Sequence, residues 1–391
     1  MSGLSAAGQE RLAEVARSHV GPDRVPGLVA LVASGDDVYA KALGQLSLDG
    51  PPVQRDSLFR IASTTKPITG AVTMALVDEG LLALDAPVTR LLPELASPRV
   101  LRRMDGPLDG TVPAEREITV RDLLTFTFGF GMHVGMFMAP TPWPIVAAAT
   151  EAQLATLGPP DPTTPPDADE WITRLGSLPL LAQPGERWLY NTGAAVLGVL
   201  CQRAAGASSF IEVLRPRLFA PLGMASTAFY TTDPSRLATA YAPTPDGLTV
   251  WDAPDGAWSR PPAFEDGAAG LVSTVDDLLA FARMFLRDGA QVLSRESVTA
   301  MTRDQVTPAQ REGQEAFLDQ RSWGFCQSVV VSGDRAGAFG WDGGLGSSFL
   351  VDPRRDLVVI VLTQRVWEAA QPPAVHTDLQ DAAYGALRGD D

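Results

Sequence analysis

Two β-rich runs near the start of the chain and three near its end, with a long proline-broken stretch between them, constrain the fold more than any other feature. Residues 27–34 and 37–43 are rich in Val, Leu and Ala and are separated by Ser34-Gly35-Asp36-Asp37, a hairpin signature. Runs at 327–332, 347–351 and 357–362 are each bounded by Gly, Asp or Pro. Strands at both ends with helices between them imply one sheet assembled from the two termini. The expectation is an α+β fold: an antiparallel sheet flanked by helices, built from residues 1–81 and 265–391. Residues 82–264 carry short helical stretches separated by loops such as Pro159-Pro160-Asp161-Pro162, and read as an inserted, mostly helical domain. Helical periodicity also predicts helices over about 1–20, 63–80, 274–287 and 374–387.

Charge narrows the partners. The formal charge is −15, with no run of Lys and Arg, so a phosphate backbone or an anionic membrane surface is repelled. The first twenty residues alternate Ala, Leu and Val with Glu10, Arg11, Glu14 and Arg17, an amphipathic helix rather than a signal core. No stretch has the uninterrupted apolar length of a membrane span. Cys201 and Cys326 are the only cysteines and form no CxxC pair, which reads as two buried thiols. These features predict a cytoplasmic protein with no nucleic-acid or membrane partner.

Lysine occurs only at positions 41 and 66, and the second stands in Ser63-Thr64-Thr65-Lys66. Residues three apart on a helix share a face, so the Lys66 amine can reach the Ser63 hydroxyl and activate it as a nucleophile. Pro67 lacks the N–H that a helix interior needs and fits only a first turn, which sets the helix start at about Ser63. There the positive end of the helix dipole and a free backbone N–H favour an oxyanion. Ser63 as a plain helix cap beside a solvated lysine is the bland alternative. With 22 serines and two lysines among 391 residues, about 0.1 chance Ser-x-x-Lys match is expected, which weighs against it.

Two further segments carry chemistry. Tyr190 lies in Trp188-Leu189-Tyr190-Asn191-Thr192-Gly193, after the turn Gln183-Pro184-Gly185 and before an apolar helix. An ammonium beside a phenol favours phenolate, so Tyr190 near Lys66 would lose proton affinity and act as base and acid; taken alone it reads as a core tyrosine. Phe339-Gly340-Trp341-Asp342-Gly343-Gly344-Leu345-Gly346 is either a tight turn between strands or a place where backbone approaches a ligand. No Gly-x-Ser-x-Gly elbow is present, and none of the three histidines is paired with another at metal-ligand spacing, so neither a nucleophile elbow nor a metal site is expected.

In order, these segments resemble the serine β-lactamase and penicillin-recognising superfamily, in its class C-like branch that includes family VIII carboxylesterases. Leu82-Ala83-Leu84-Asp85-Ala86-Pro87-Val88, Pro221-Leu222-Gly223-Met224 and Gly270-Leu271-Val272-Ser273-Thr274 extend the resemblance over most of the chain. It implies a β-lactamase/transpeptidase-like fold and no cofactor. Ser63 becomes the acylated nucleophile, Lys66 and Tyr190 the proton-handling pair, and the Ser63 and Gly344 N–H groups the oxyanion hole.

Two departures bear on substrate. The family's Tyr-x-Asn appears as Tyr190-Asn191-Thr192, with the asparagine displaced by one position. A lysine in the third motif would pair with a substrate carboxylate, whereas Trp341 in Trp341-Asp342-Gly343 offers an apolar face and one N–H. Neutral esters are thereby favoured over anionic β-lactams. Asn191, Thr192, Trp341 and Gly343 are expected to bind substrate, with Phe126 and Phe128 of the Phe-, Met- and Gly-rich stretch 126–138 as an apolar wall if that stretch lines the cleft. The expected function is a serine carboxylesterase acting on a small-molecule ester of small to medium size. A β-lactamase or DD-peptidase, an acyltransferase, and a binding protein without turnover are the alternatives.

Overall fold

The computed structural model describes residues 3–388, so positions 1–2 and 389–391 of the expected terminal domain lie outside the described residues. Strands β1 (Gly27–Ser34) and β2 (Asp37–Gly44) form the hairpin, and β3 (Arg321–Trp323), β4 (Ser328–Val330), β5 (Phe339–Gly343), β6 (Ser347–Asp352) and β7 (Leu357–Thr363) follow near the C-terminus. Together they make one seven-stranded antiparallel sheet in the order β2-β1-β7-β6-β5-β4-β3. The first hairpin joins the C-terminal strands through β1 and β7, Leu28 pairing with Thr363 and Ser34 with Leu357.

Alternation along these central strands explains why they are apolar throughout. Leu28, Ala30, Val32, Val359 and Val361 face α1 (Ala6–His19) and α5 (Ala374–Tyr384), packing against Leu12, Ala16, Leu379 and Ala383. Val29, Leu31, Val358, Ile360 and Leu362 face the other way, into the core shared with α2 (Thr65–Asp78) and α4 (Val275–Leu286). A sheet covered on both faces needs continuous hydrophobic strands. Thr274 caps α4 by accepting from the Asp277 N–H.

Within the glycine-dense segment 339–346, left open between a tight turn and a backbone approach to a ligand, residues 339–343 are strand β5 and the turn is confined to 344–346. Gly340 and Gly343 permit it: a Cβ at Gly340 would lie 1.9 Å from the Phe349 carbonyl oxygen, and one at Gly343 would lie 2.2 Å from that of Ile61. The intervening region contains helices, including α3 (Thr192–Ala205), and also two short hairpins, Arg99–Leu101 with Thr111–Pro113 and Ala240–Thr244 with Gly247–Asp252. Its core is continuous with that beneath the sheet, and α3 packs along α2.

Candidate active site

The start of α2 is delivered by a short turn, Ala62–Thr64, and Pro67 falls at the third helical position, where the missing N–H costs nothing. Ala62 holds φ +42, a left-handed value costly to a residue with a Cβ, next to the nucleophile candidate. Hydroxyls fasten this turn to the sheet. Ser347 on β6 donates to the Ile61 carbonyl at 2.7 Å, and Thr64 shares a 2.9 Å hydrogen bond with the same Ser347 hydroxyl. Because Ser347 gives its proton to Ile61, Thr64 is the donor of that pair. The turn after β5 is thereby held against the helix start, and Ser63 and Gly344 line one cavity of about 180 Å³. Among the described residues neither the Ser63 N–H nor the Gly344 N–H finds an acceptor within the protein.

Lys66 lies beneath Ser63 with no exposed surface. Its Nζ is 2.9 Å from Ser63 Oγ and donates to the Ala268 carbonyl at 2.8 Å. Burial lowers the amine to about 7, the negative charge of Asp266 opposing the shift. Asp266, in the loop before Gly267, accepts from the Ala268 N–H at 2.8 Å, and burial raises its carboxyl.

Tyr190 reaches the site from the turn before α3, and its backbone exchanges hydrogen bonds with Met132 at 2.8 and 2.9 Å. Gly131 makes this approach possible, since a Cβ there would lie 2.5 Å from the Tyr190 carbonyl oxygen. Trp341 Nε1 donates to the Tyr190 hydroxyl at 2.7 Å. An indole N–H can only donate, so the phenol oxygen is the acceptor of that bond, and it also interacts with the Ser63 side chain. The expectation that Lys66 would lower the phenol is corrected. Burial raises Tyr190 well above its ordinary value, and the amine under it is itself desolvated and a weak source of positive charge near neutrality.

Ser63, Tyr190, Asn191, Trp341 and Gly344 all line the cavity, with Lys66 one hydrogen bond behind. Four expected substrate contacts do not line it, and each has a physical reason. Phe126 and Phe128 are wholly buried; Phe126 packs behind Tyr190, against Trp188 and Trp323, with ring centroids 4.9 to 6.3 Å apart. Thr192 is buried and its hydroxyl accepts from Thr156. Gly343 is occupied by the close approach of β5 to Ile61.

The remaining wall includes Met132, Phe317, Arg321, Asp342, Trp367 and the loop bearing Ala155, Gly158, Pro159 and Pro160. Arg321 donates to Asp342 at 3.2 Å and lies 5.1 Å from the Trp341 ring centroid. Burial raises the Asp342 carboxyl, with Arg321 opposing the shift. Asp342 stands inside the third motif and could have been suspected from it; Phe317 and Arg321 carry no local pattern and reach the site only through tertiary packing. Among the described residues no group of His, Cys, Asp and Glu has a metal-binding arrangement. No single described helix is long and apolar enough to cross a membrane.

A serine over a buried lysine, a tyrosine on a neighbouring loop, and N–H groups without a protein acceptor at the helix start and at a strand turn define a serine hydrolase of the β-lactamase fold. A family model described as Beta-lactamase matches residues 12–383, and the chain belongs to that family. It is 38% identical over 345 residues to Protein Rv1367c of Mycobacterium tuberculosis, covering 82% of this chain and 81% of that one. It is 33% identical over 388 residues to Esterase EstB of Burkholderia gladioli, covering 92% and 91%. Among solved structures it resembles EstCE1, described as a hydrolase with promiscuous acyltransferase activity, with a TM-score of 0.83, 26% identity and coverage of 97% of this chain and 100% of that one.

Proposed function

We propose that the protein is a serine carboxylesterase that cleaves small to medium neutral esters through an acyl-enzyme on Ser63. The observation that carries this reading is electrostatic: among the described residues Arg321 is the one basic side chain lining the cavity, and it is already paired with Asp342. The Trp341 N–H is likewise committed to Tyr190. An anionic substrate would enter with no free cation to receive its carboxylate, whereas a neutral ester needs none.

In this mechanism the neutral Lys66 amine takes the Ser63 proton as Oγ attacks the ester carbonyl. The Ser63 and Gly344 N–H groups stabilise the oxyanion. Collapse breaks the bond to the alkoxide, which receives a proton from the Tyr190 hydroxyl, and Lys66 returns its proton to Tyr190. Water then hydrolyses the acyl-enzyme to the acid. The two buried, unpaired cysteines support the cytoplasm as the site of action.

Steady-state hydrolysis of p-nitrophenyl acetate, butyrate and octanoate beside a chromogenic cephalosporin, with wild type and Ser63→Ala, tests the reading. Ester turnover should fall by about 10⁴-fold or more in the variant, and the cephalosporin should be cleaved far more slowly. Efficient cephalosporin cleavage with poor ester cleavage would overturn it. The likeness to EstCE1 favours a second reading, in which an alcohol replaces water at the acyl-enzyme. Added alcohol would then divert product from acid to ester.

A further inference from the structure

Residues 153–160 wall part of the cavity through Ala155, Gly158, Pro159 and Pro160. This loop holds an unfavourable backbone: Gln153 has φ +56 and Ala155 φ +46, left-handed values at residues that carry a Cβ. Such conformations persist where surrounding bonds over-determine them, and they gather at ligand clamps. Three hydrogen bonds do so here. Trp171 Nε1 donates to the Leu154 carbonyl at 2.9 Å, Asn191 Nδ2 donates to the Thr156 carbonyl at 2.9 Å, and Thr156 Oγ1 donates to Thr192 Oγ1 at 3.0 Å. The last two both end on Thr156, which is buried and does not itself line the cavity. Their other partners are the two residues directly after Tyr190. Asn191 itself holds φ +83 and ψ −65, the strained centre of a γ-turn closed by the Thr192 N–H on the Tyr190 carbonyl at 3.2 Å.

We infer that Asn191 and Thr192 are positioning residues which, through Thr156, fix the 153–160 loop as a rigid wall that limits the size of ester the site accepts. The asparagine displaced from the family's usual position thus spends its amide on the wall. The cavity of about 180 Å³ is close to the ~150 Å³ void that accommodates benzene, so roughly six carbons fill it and a longer group must pass its rim. This inference rests on the esterase reading for its substrate class but has an independent readout.

Three variants separate clamp from fold. Thr156→Val keeps the shape and removes the hydroxyl, Asn191→Gly removes the amide while tolerating the backbone at φ +83, and Thr156→Ser keeps the hydroxyl as a rescue control. Each is measured for kcat/KM on a p-nitrophenyl acyl series from acetate to octanoate, on acetates of alcohols of increasing size, and for Tm. Loss of the clamp should raise the long-to-short ratio in one series about fivefold or more, and Thr156→Ser should match wild type. A ratio unchanged in both series, whatever the absolute rate, overturns the clamp. If wild type turns over no ester, the esterase reading fails and the wall is read instead from labelling of Ser63 by p-nitrophenyl alkylphosphonates of graded length. Equal length preference in wild type and Thr156→Val there overturns the inference.

Discussion

Around Ser63 and Gly344 the cavity is held by buried hydroxyls bonded to backbone, whereas Phe317, which also lines it, packs against a helix whose side chains face water. Thr64 and Ser347 are 1% and 0% exposed; Phe137 and Met138, on the short helix Val134–Met138, are 61% and 78% exposed. Phe137 meets Phe317 edge-on with centroids 6.1 Å apart, and Phe317 lies 5.0 Å from the Tyr190 ring. Directional bonds in a low dielectric fix atoms to the tolerance that bond making requires. Apolar surface is non-directional and can accept many shapes. One side of the cavity is therefore held by directional bonds and the other by non-directional apolar contact.

The largest expected effect breaks the chemical side by pH alone. Burial lowers Lys66 to about 7, so the amine is neutral and able to accept the Ser63 proton above that pH and is protonated below it. Activity is thus gained as pH rises through about 7. We expect kcat/KM for p-nitrophenyl acetate to fall about tenfold per unit below that point, roughly a hundredfold by two units. A profile flat from pH 5 to 8 would remove Lys66 as the base.

Next in size is Ser347→Ala, which leaves the Ile61 carbonyl only the Thr64 N–H at 3.0 Å and the Thr64 hydroxyl only a 3.5 Å contact with the Trp341 carbonyl. Each buried hydrogen bond lost costs about 0.5–1.5 kcal/mol, and the oxyanion donors lose alignment. A drop in kcat of about tenfold with KM nearly unchanged, beside a lower Tm, is the expected outcome. Loss confined to KM would mean that these hydroxyls serve binding rather than chemistry.

What sequence could reveal divides along similar lines. The sheet from two termini was legible because its strands are continuous apolar runs with turn residues between them, and the helix start at Ser63 because Pro67 permits few positions. Strand β3 was hidden, being three residues long and paired on one edge only. Strand β5 was hidden by its own glycines, which serve a close approach between strands rather than a loop. The tyrosine's proton affinity was misjudged because sequence places a cation near a phenol without saying how deeply both are buried. Phe126 and Phe128 illustrate the same gap: apolar residues near a catalytic motif are equally suited to a pocket wall or to the packing behind it, and here they pack.

The smallest expected effect tests the exposed side. Phe137→Ser removes an aromatic ring that is mostly in water, so the fold loses little buried surface and Tm should hold within about 1–2 °C. The ring meets Phe317, which lines the cavity, so a long acyl or alcohol chain leaving the cavity on that side would lose apolar surface to lie against. Burial of one or two methylenes against such a surface is worth about 0.8 kcal/mol each when complete and less at an open edge. We therefore expect KM for p-nitrophenyl octanoate to rise about twofold, with kcat and the constants for acetate unchanged. A fall in kcat for acetate would instead show that the exposed ring steadies Tyr190 through Phe317, and the two sides of the cavity would then be coupled rather than separate.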